Sequence, residues 1–220
     1  MFDSPPSHLS KSDQALATSV PVYPAASDGT LPDLKRGQYC YVVGANGLFA
    51  VGRGAGFMAV VPVTTDDEVY IPFGQMTPGV HYDGQPLDSE LIRQAAVAAR
   101  KVLDKEWSAV ILTDPDTGEY RLHEGAYPYH DNGNVSVATQ SYDPTGNEDD
   151  LVVNLHSHGR GKPYFSVVDD ASDSRGIHIS VVFGYCHDWK QLTLCTRLSV
   201  CGHTMALAGL PQWTNMPESS

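Results

Sequence analysis

Apolar and polar positions along this chain follow different rules in successive stretches. Residues 1–36 are rich in Pro, Ser and Asp and show no period beyond a short Ser19-Val20-Pro21-Val22-Tyr23, which predicts a flexible leader, mobile or laid along the surface. From Gln38 the apolar content rises. Tyr39–Val43 and Leu48–Val51 read as two strands joined by a turn containing Asn46-Gly47, the dipeptide that suits the positive dihedrals of a tight hairpin. Phe57–Val63 and Val69–Phe73 are further strand candidates. Pro78, Gly79, Gly84 and Pro86 then mark a boundary, so residues 37–86 are expected to form a small β-rich region.

Asp88-Ser89-Glu90 opens the clearest helix. Leu91, Ile92, Ala95, Ala96, Ala99, Val102 and Leu103 fall on one stripe, which predicts a helix running to about Lys105. Glu106 leads into the apolar strand Trp107–Leu112, and Asp114–Gly118 turns it into Glu119–His123. Residues 125–150 are polar, with Asn134–Ser141 their one strand-like part. So long a stretch inside a domain suggests a lip over a cleft, its acidic end Glu148-Asp149-Asp150 reading by default as a solvated turn. Leu151–Leu155 looks like a buried strand, and His178–Tyr185 and Gln191–Val200 add two more. A domain over residues 87–208 and a tail over 209–220 complete the layout.

Composition narrows the class. Of 220 residues 41% are hydrophobic and 18% charged, the profile of a folded domain. No apolar run approaches membrane-spanning length and the N-terminus lacks the regions of a signal peptide, so no membrane partner and a cytoplasmic location are expected. A net charge of −12 argues against a nucleic-acid backbone as partner and suits a basic protein surface or tail. Four cysteines, Cys40, Cys186, Cys195 and Cys201, form no C-x-x-C pair, so buried free thiols are expected; Cys201 with His203 lacks further ligands at suitable spacing. Gly52, Gly54 and Gly56 fit no phosphate-binding pattern and read as turn glycines.

The chemistry-bearing stretch is His156-Ser157-His158, seven residues, then Ser166, two residues, and Asp169. On a strand, residues i and i+2 share a face, so His156 and His158 can reach one ion. Ser166–Asp169 has the form of a helix start, and i, i+3 positions lie together there. With 9 histidines, about 0.4 His-x-His pairs are expected by chance, and Ser-x-x-Asp alone is more often a cap than a ligand set. Their combination at fixed offsets is what carries information. Two imidazoles and a carboxylate make three protein ligands, the number a catalytic zinc uses while its fourth position is left to water. One Zn2+ per chain is therefore expected, held by His156, His158 and Asp169.

These residues match every fixed position of H-[ST]-H-x7-S-x2-D, and the segment resembles the signature of the JAMM (MPN-plus) metalloproteases. Asp170-Ala171-Ser172-Asp173 and the apolar run Ile177–Tyr185 further resemble the prokaryotic JAB branch, and the overall layout resembles the A-protein family of the PRTRC cassettes. The resemblance covers about residues 88–205. It implies an α/β (α+β) fold of the JAB/MPN, cytidine-deaminase-like kind, a mixed sheet flanked by helices, here with a β-rich N-terminal element. It also implies a general base on the strand after the first helix, which falls on Glu106; Ala109 fits the family's small residue there only approximately, and Glu119 and Glu124 are fallbacks. Ser166 takes the role of oxyanion donor, and Ser157 that of a supporting residue. The implied reaction is hydrolysis of the amide or isopeptide bond after the C-terminal glycine of a ubiquitin-like protein.

Rival readings are a binding scaffold of the MPN type that has lost catalysis, a JAMM-like domain in DNA repair, and an amidohydrolase barrel. The barrel needs a longer chain and an early His-x-His. The acidic balance gives no support to DNA repair, and the intact ligand set argues against the scaffold. Oligomeric state and the identity of the substrate are not legible in the sequence.

Overall fold

The structure is a computed structural model that describes residues 10–11, 19–65, 71–114, 116–124 and 151–208. Two mixed sheets carry the fold. The first contains β1 (Val22–Pro24), β2 (Tyr39–Gly44), β3 (Gly47–Arg53), β4 (Phe57–Thr65) and β5 (Gly79–Tyr82), hydrogen-bonded in that order, with β1 parallel to β2 and the rest antiparallel. After it comes helix α1 (Ser89–Ala99).

The second sheet is built from β6 (Ser108–Thr113), β7 (Tyr120–Glu124), β8 (Leu151–Ser157), β9 (Ile177–Gly184), β10 (Thr193–Val200) and β11 (His203–Ala206) in the order β11-β10-β9-β8-β6-β7. Its one parallel pair is β8 with β9. Parallel neighbours need a crossover, and here the crossover contains helix α2 (Val167–Asp173).

Alternation along the second sheet separates two faces. Val153 and Leu155 of β8, Ile179, Val181 and Phe183 of β9, and Leu198 and Val200 of β10 are fully buried and join the main core with Ile92, Ala95, Ala96 and Ala99 of α1. Most intervening positions are polar: Asn154 and His156 on β8, His178 and Ser180 on β9, Arg197 and Ser199 on β10, all buried, with the apolar Val182 beside His156. In register, Asn154 stands beside Ser180 and Ser180 beside Arg197. This polar face receives α2.

The first sheet presses its inner face, Ala50, Phe57, Ala59 and Val61, into the same core. Gly52 makes the approach possible, since a Cβ there would lie 2.9 Å from Ile177 Cδ1 and 3.0 Å from a Val200 methyl. Gly52 is thus a packing glycine inside β3, whereas Gly54 and Gly56 lie in the turn between β3 and β4 as the sequence suggests, Gly54 donating its amide to the Phe57 carbonyl at 2.9 Å and Gly56 standing at φ +79°.

Several boundaries differ from expectation. Residues 22–34 of the expected leader are part of the fold: β1 extends the first sheet, and Ala25, with Tyr23, Leu31 and Leu34, covers its outer face over Cys40, Val42, Phe49 and Val51. Of the strand expected at 69–73, residues 71–73 are not extended in a sheet; β5 forms instead at the boundary glycine, because Gly79–Tyr82 pairs with Phe57–Val60. Helix α1 stops at Ala99, not Lys105, as Lys101 and Val102 turn back with amide bonds to Ala98 and Ala99 three residues earlier. Strand β11 carries no apolar alternation strong enough to read beforehand, and is defined by its pairing with β10. The lip at 125–150, with its strand at Asn134–Ser141 and Glu148-Asp149-Asp150, and the tail from 209 lie outside the described residues.

Candidate metal centre and catalytic site

Strand β8 ends at the site. His156 and Asn154 share its polar face, and His158 follows one step beyond, its amide continuing the ladder to the Phe183 carbonyl at 2.9 Å. The rings of His156 and His158 have centroids 5.2 Å apart. Gly159 then turns the chain at φ +54°, passing so close to the Leu103 carbonyl that no Cβ would fit. His158 Nδ1 lies 2.9 Å from the Lys162 carbonyl. A carbonyl only accepts, so Nδ1 carries the proton and Nε2 keeps its lone pair for a ligand. Tyr164 stacks edge-on against this ring at 4.5 Å.

Ser166 caps α2 with a capping box: its hydroxyl oxygen accepts from the Asp169 amide at 3.3 Å, and Asp169 Oδ2 accepts from the Ser166 amide and hydroxyl, both at 2.6 Å. The cap reading and the site reading of Ser-x-x-Asp are both realised, because Asp169 divides its oxygens. Oδ2 closes the cap, and Oδ1 stands 3.5 Å from His156 Nε2.

Glu106 sits half-buried in the connection two residues ahead of β6, not on the strand itself. Burial raises its carboxyl above the ordinary glutamate value, the His158 charge opposes this and the Asp169 charge adds to it, so the three groups share one electrostatic neighbourhood. The fallbacks are engaged elsewhere. Glu119 is 71% exposed and 3.8 Å from Arg121, and Glu124 accepts from the Trp107 indole N–H at 3.1 Å. Ser157 points to the core side of β8, where its amide donates to the Trp107 carbonyl at 2.8 Å and its hydroxyl accepts from the Trp107 amide at 3.1 Å.

His156 is pushed down to about 4, chiefly by burial, with the Asp169 carboxylate working the other way. It is neutral at neutral pH, as a metal ligand must be. Among the described residues, no three His, Cys, Asp or Glu side chains already converge on one point at ligand distance. His156 nonetheless neighbours both His158 and Asp169, with the His158 tautomer set and one Asp169 carboxylate oxygen turned toward His156. The set can hold a small cation that favours nitrogen and oxygen donors. Cys201 and His203 form no second site: His203 Nε2 is 2.9 Å from the Tyr41 hydroxyl, tying β11 to the first sheet.

Sequence reasoning missed the buried polar cluster next to the site. Asp173, 1% exposed, accepts from Ser180 Oγ at 2.8 Å, Arg197 Nε at 2.7 Å and Ser199 Oγ at 3.2 Å, and from His178 Nε2 at 3.0 Å. Burial alone would raise this carboxyl; the His178 bond and the charges of His178 and Arg197 outweigh it and keep it well below the usual range. The signal was present as alternate polar positions in β9 and β10.

The arrangement is a two-sheet α+β fold in which a His-x-His strand end meets a Ser-x-x-Asp helix start. Residues 88–195 match the family described as prokaryotic homologs of the JAB domain, and residues 10–82 match a domain of unknown function, DUF2016. No curated protein matches the chain. From α1 to Cys195 the chain therefore belongs to the prokaryotic JAB branch of the JAB/MPN superfamily, which includes hydrolases. The DUF2016 match spans the first sheet, and the pairing of the two regions is consistent with a PRTRC-type layout. Among the described residues, no helix is long and apolar enough to cross a membrane.

Proposed function

We propose that the chain is a zinc-dependent peptidase or isopeptidase that hydrolyses the amide bond after the C-terminal glycine of a ubiquitin-like protein. The observation that supports it most is the meeting of His156 and Asp169, 3.5 Å apart, with Glu106 in the electrostatic range of His158 and Asp169. His156 Nε2, His158 Nε2 and Asp169 Oδ1 would hold the ion. A zinc ion there would supply Lewis acidity to polarise the scissile carbonyl and acidify a water molecule.

The chain's own residues do the rest. Glu106, its carboxyl raised by burial, takes the proton of the attacking water and delivers it to the departing amine. Ser166 presents its hydroxyl to the developing oxyanion, and to do so it turns that proton away from Asp169 Oδ2. The cap survives the turn, because the Ser166 amide still donates to the same oxygen. Ser157 takes no part in the chemistry and anchors the Trp107 backbone beside Glu106.

A non-catalytic scaffold is the second reading. In its favour, Asp169 Oδ2 is engaged in the cap and the three side chains are not gathered to ligand distance. Zinc content of the purified protein, combined with incubation against a ubiquitin-like protein bearing a C-terminal extension, separates the two. One zinc per chain and release of the extension are expected for the peptidase; a zinc-free, inert protein establishes the scaffold.

A further inference from the structure

Helix α2 carries both Ser166, at its cap, and Asp169, yet almost nothing apolar fastens it. It has seven residues, too few to be stable alone, and Val167 and Val168 are 82% and 60% exposed. Its one buried residue is Asp173. An amphipathic helix normally docks through an apolar stripe, so the docking of α2 has to be explained by polar contacts.

One side chain reaches more of the segment than any other. Arg197, on the polar face of β10 and 7% exposed, donates through Nε to Asp173 Oδ2 at 2.7 Å and through Nη1 to Asp170 Oδ1 at 2.6 Å. Its guanidinium also lies 4.0 Å above the centre of the Phe165 ring, the residue before the cap. The guanidinium fork thus grips the segment at Phe165, Asp170 and Asp173, which bracket Ser166 and Asp169. A planar fork with several fixed donors can impose an orientation that a single ammonium cannot. Ser180, Ser199 and His178 complete the seat of Asp173, and their hydrogen bonds to the helix go to that residue.

We propose that Arg197 is the positioning residue of this site: it fixes α2 on the second sheet and so sets where Asp169 stands relative to His156 and His158. This rests on the zinc reading above for its functional consequence. Arg197 touches neither the ion nor the substrate. Its effect passes through the helix, in the way that residues behind a metal ligand set that ligand's orientation.

The test compares the full-length wild type with Asp170→Asn, Arg197→Gln and Arg197→Lys. Two quantities are read: zinc affinity by chelator competition, and amide exchange over residues 167–173 in the metal-free protein. Asp170 has a side chain 62% exposed, so Asp170→Asn removes one leg of the grip without opening the core. Expected are zinc affinities weakened roughly 10-fold in Asp170→Asn and Arg197→Gln, partial recovery in Arg197→Lys, and faster exchange in α2 with β9 unchanged. A loss of packing alone would not produce this split between α2 and β9. Folded Asp170→Asn and Arg197→Gln proteins with wild-type α2 exchange and zinc affinity within about twofold overturn the proposal. Should Arg197→Gln fail to fold, Asp170→Asn and Arg197→Lys decide by the same two readouts. A wild type that binds no zinc overturns the peptidase reading instead, and exchange in the metal-free variants still decides whether Arg197 holds the helix.

Discussion

Ser157 grips the backbone of Trp107 at both ends, its amide donating to the Trp107 carbonyl at 2.8 Å and its hydroxyl accepting from the Trp107 amide at 3.1 Å. The residue between the two histidines therefore sets the place of Glu106, the neighbour of Trp107. Ser157→Ala leaves the buried Trp107 amide without its acceptor, a loss of about 1–3 kcal/mol. Urea unfolding should read that loss, with zinc content unchanged and turnover reduced as Glu106 loses its anchor.

Metal binding is expected to depend on each histidine. His158→Ala or His156→Ala leaves two protein ligands where a catalytic zinc uses three, so stoichiometric zinc should disappear on metal analysis. Stoichiometric zinc retained in His158→Ala would refute the ligand set.

Catalysis should separate from binding at two positions. Glu106→Gln keeps fold and zinc and lowers kcat by roughly 100-fold or more, the scale of general base catalysis. Ser166→Ala also keeps zinc, with kcat down by roughly 100-fold if its hydroxyl meets the oxyanion. Single-turnover assays on an extended ubiquitin-like protein measure both, and full activity in Glu106→Gln would move the base elsewhere.

The raised Glu106 carboxyl has a consequence for stability. A carboxyl whose folded value lies above its unfolded value favours folding while protonated, and that contribution is lost as pH rises through the folded value. Glutamine stays neutral throughout. Metal-free Glu106→Gln should match wild type below about pH 4 and gain on it as pH rises, by thermal unfolding across a pH series. Equal melting temperatures from pH 4 to 8 would show that the carboxyl is not held up by burial.

Contact between the sheets is tested at Gly52. A methyl there meets Ile177 Cδ1 at 2.9 Å and a Val200 methyl at 3.0 Å, an overpacking that typically costs about 1–3 kcal/mol. Gly52→Ala should lose stability on that scale in urea unfolding. An unchanged midpoint would mean that the sheets separate without cost.

What the sequence by itself determined is local. Alternation of apolar and polar residues specifies β8 and β9 and puts His156 on one face of the strand, because side-chain direction in a strand has a period of two. The capping box at Ser166–Asp169 and the Asp88 cap of α1 are equally legible, since each is a bond between residues two or three apart. The tertiary structure decided whatever depends on a distant partner. Gly79–Tyr82 is a strand because Phe57–Val60 offers it an edge, and residues 22–34 are ordered because the first sheet has an outer face to cover. Glu106, Glu119 and Glu124 look alike along the chain. Only the fold puts Glu106 within the electrostatic range of His158 and Asp169, gives Glu124 to the Trp107 indole, leaves Glu119 in solvent, and brings Arg197 beneath a helix 24 residues away. Such choices rest on burial and charge contributed by residues far apart in sequence, and a local pattern has no term for them.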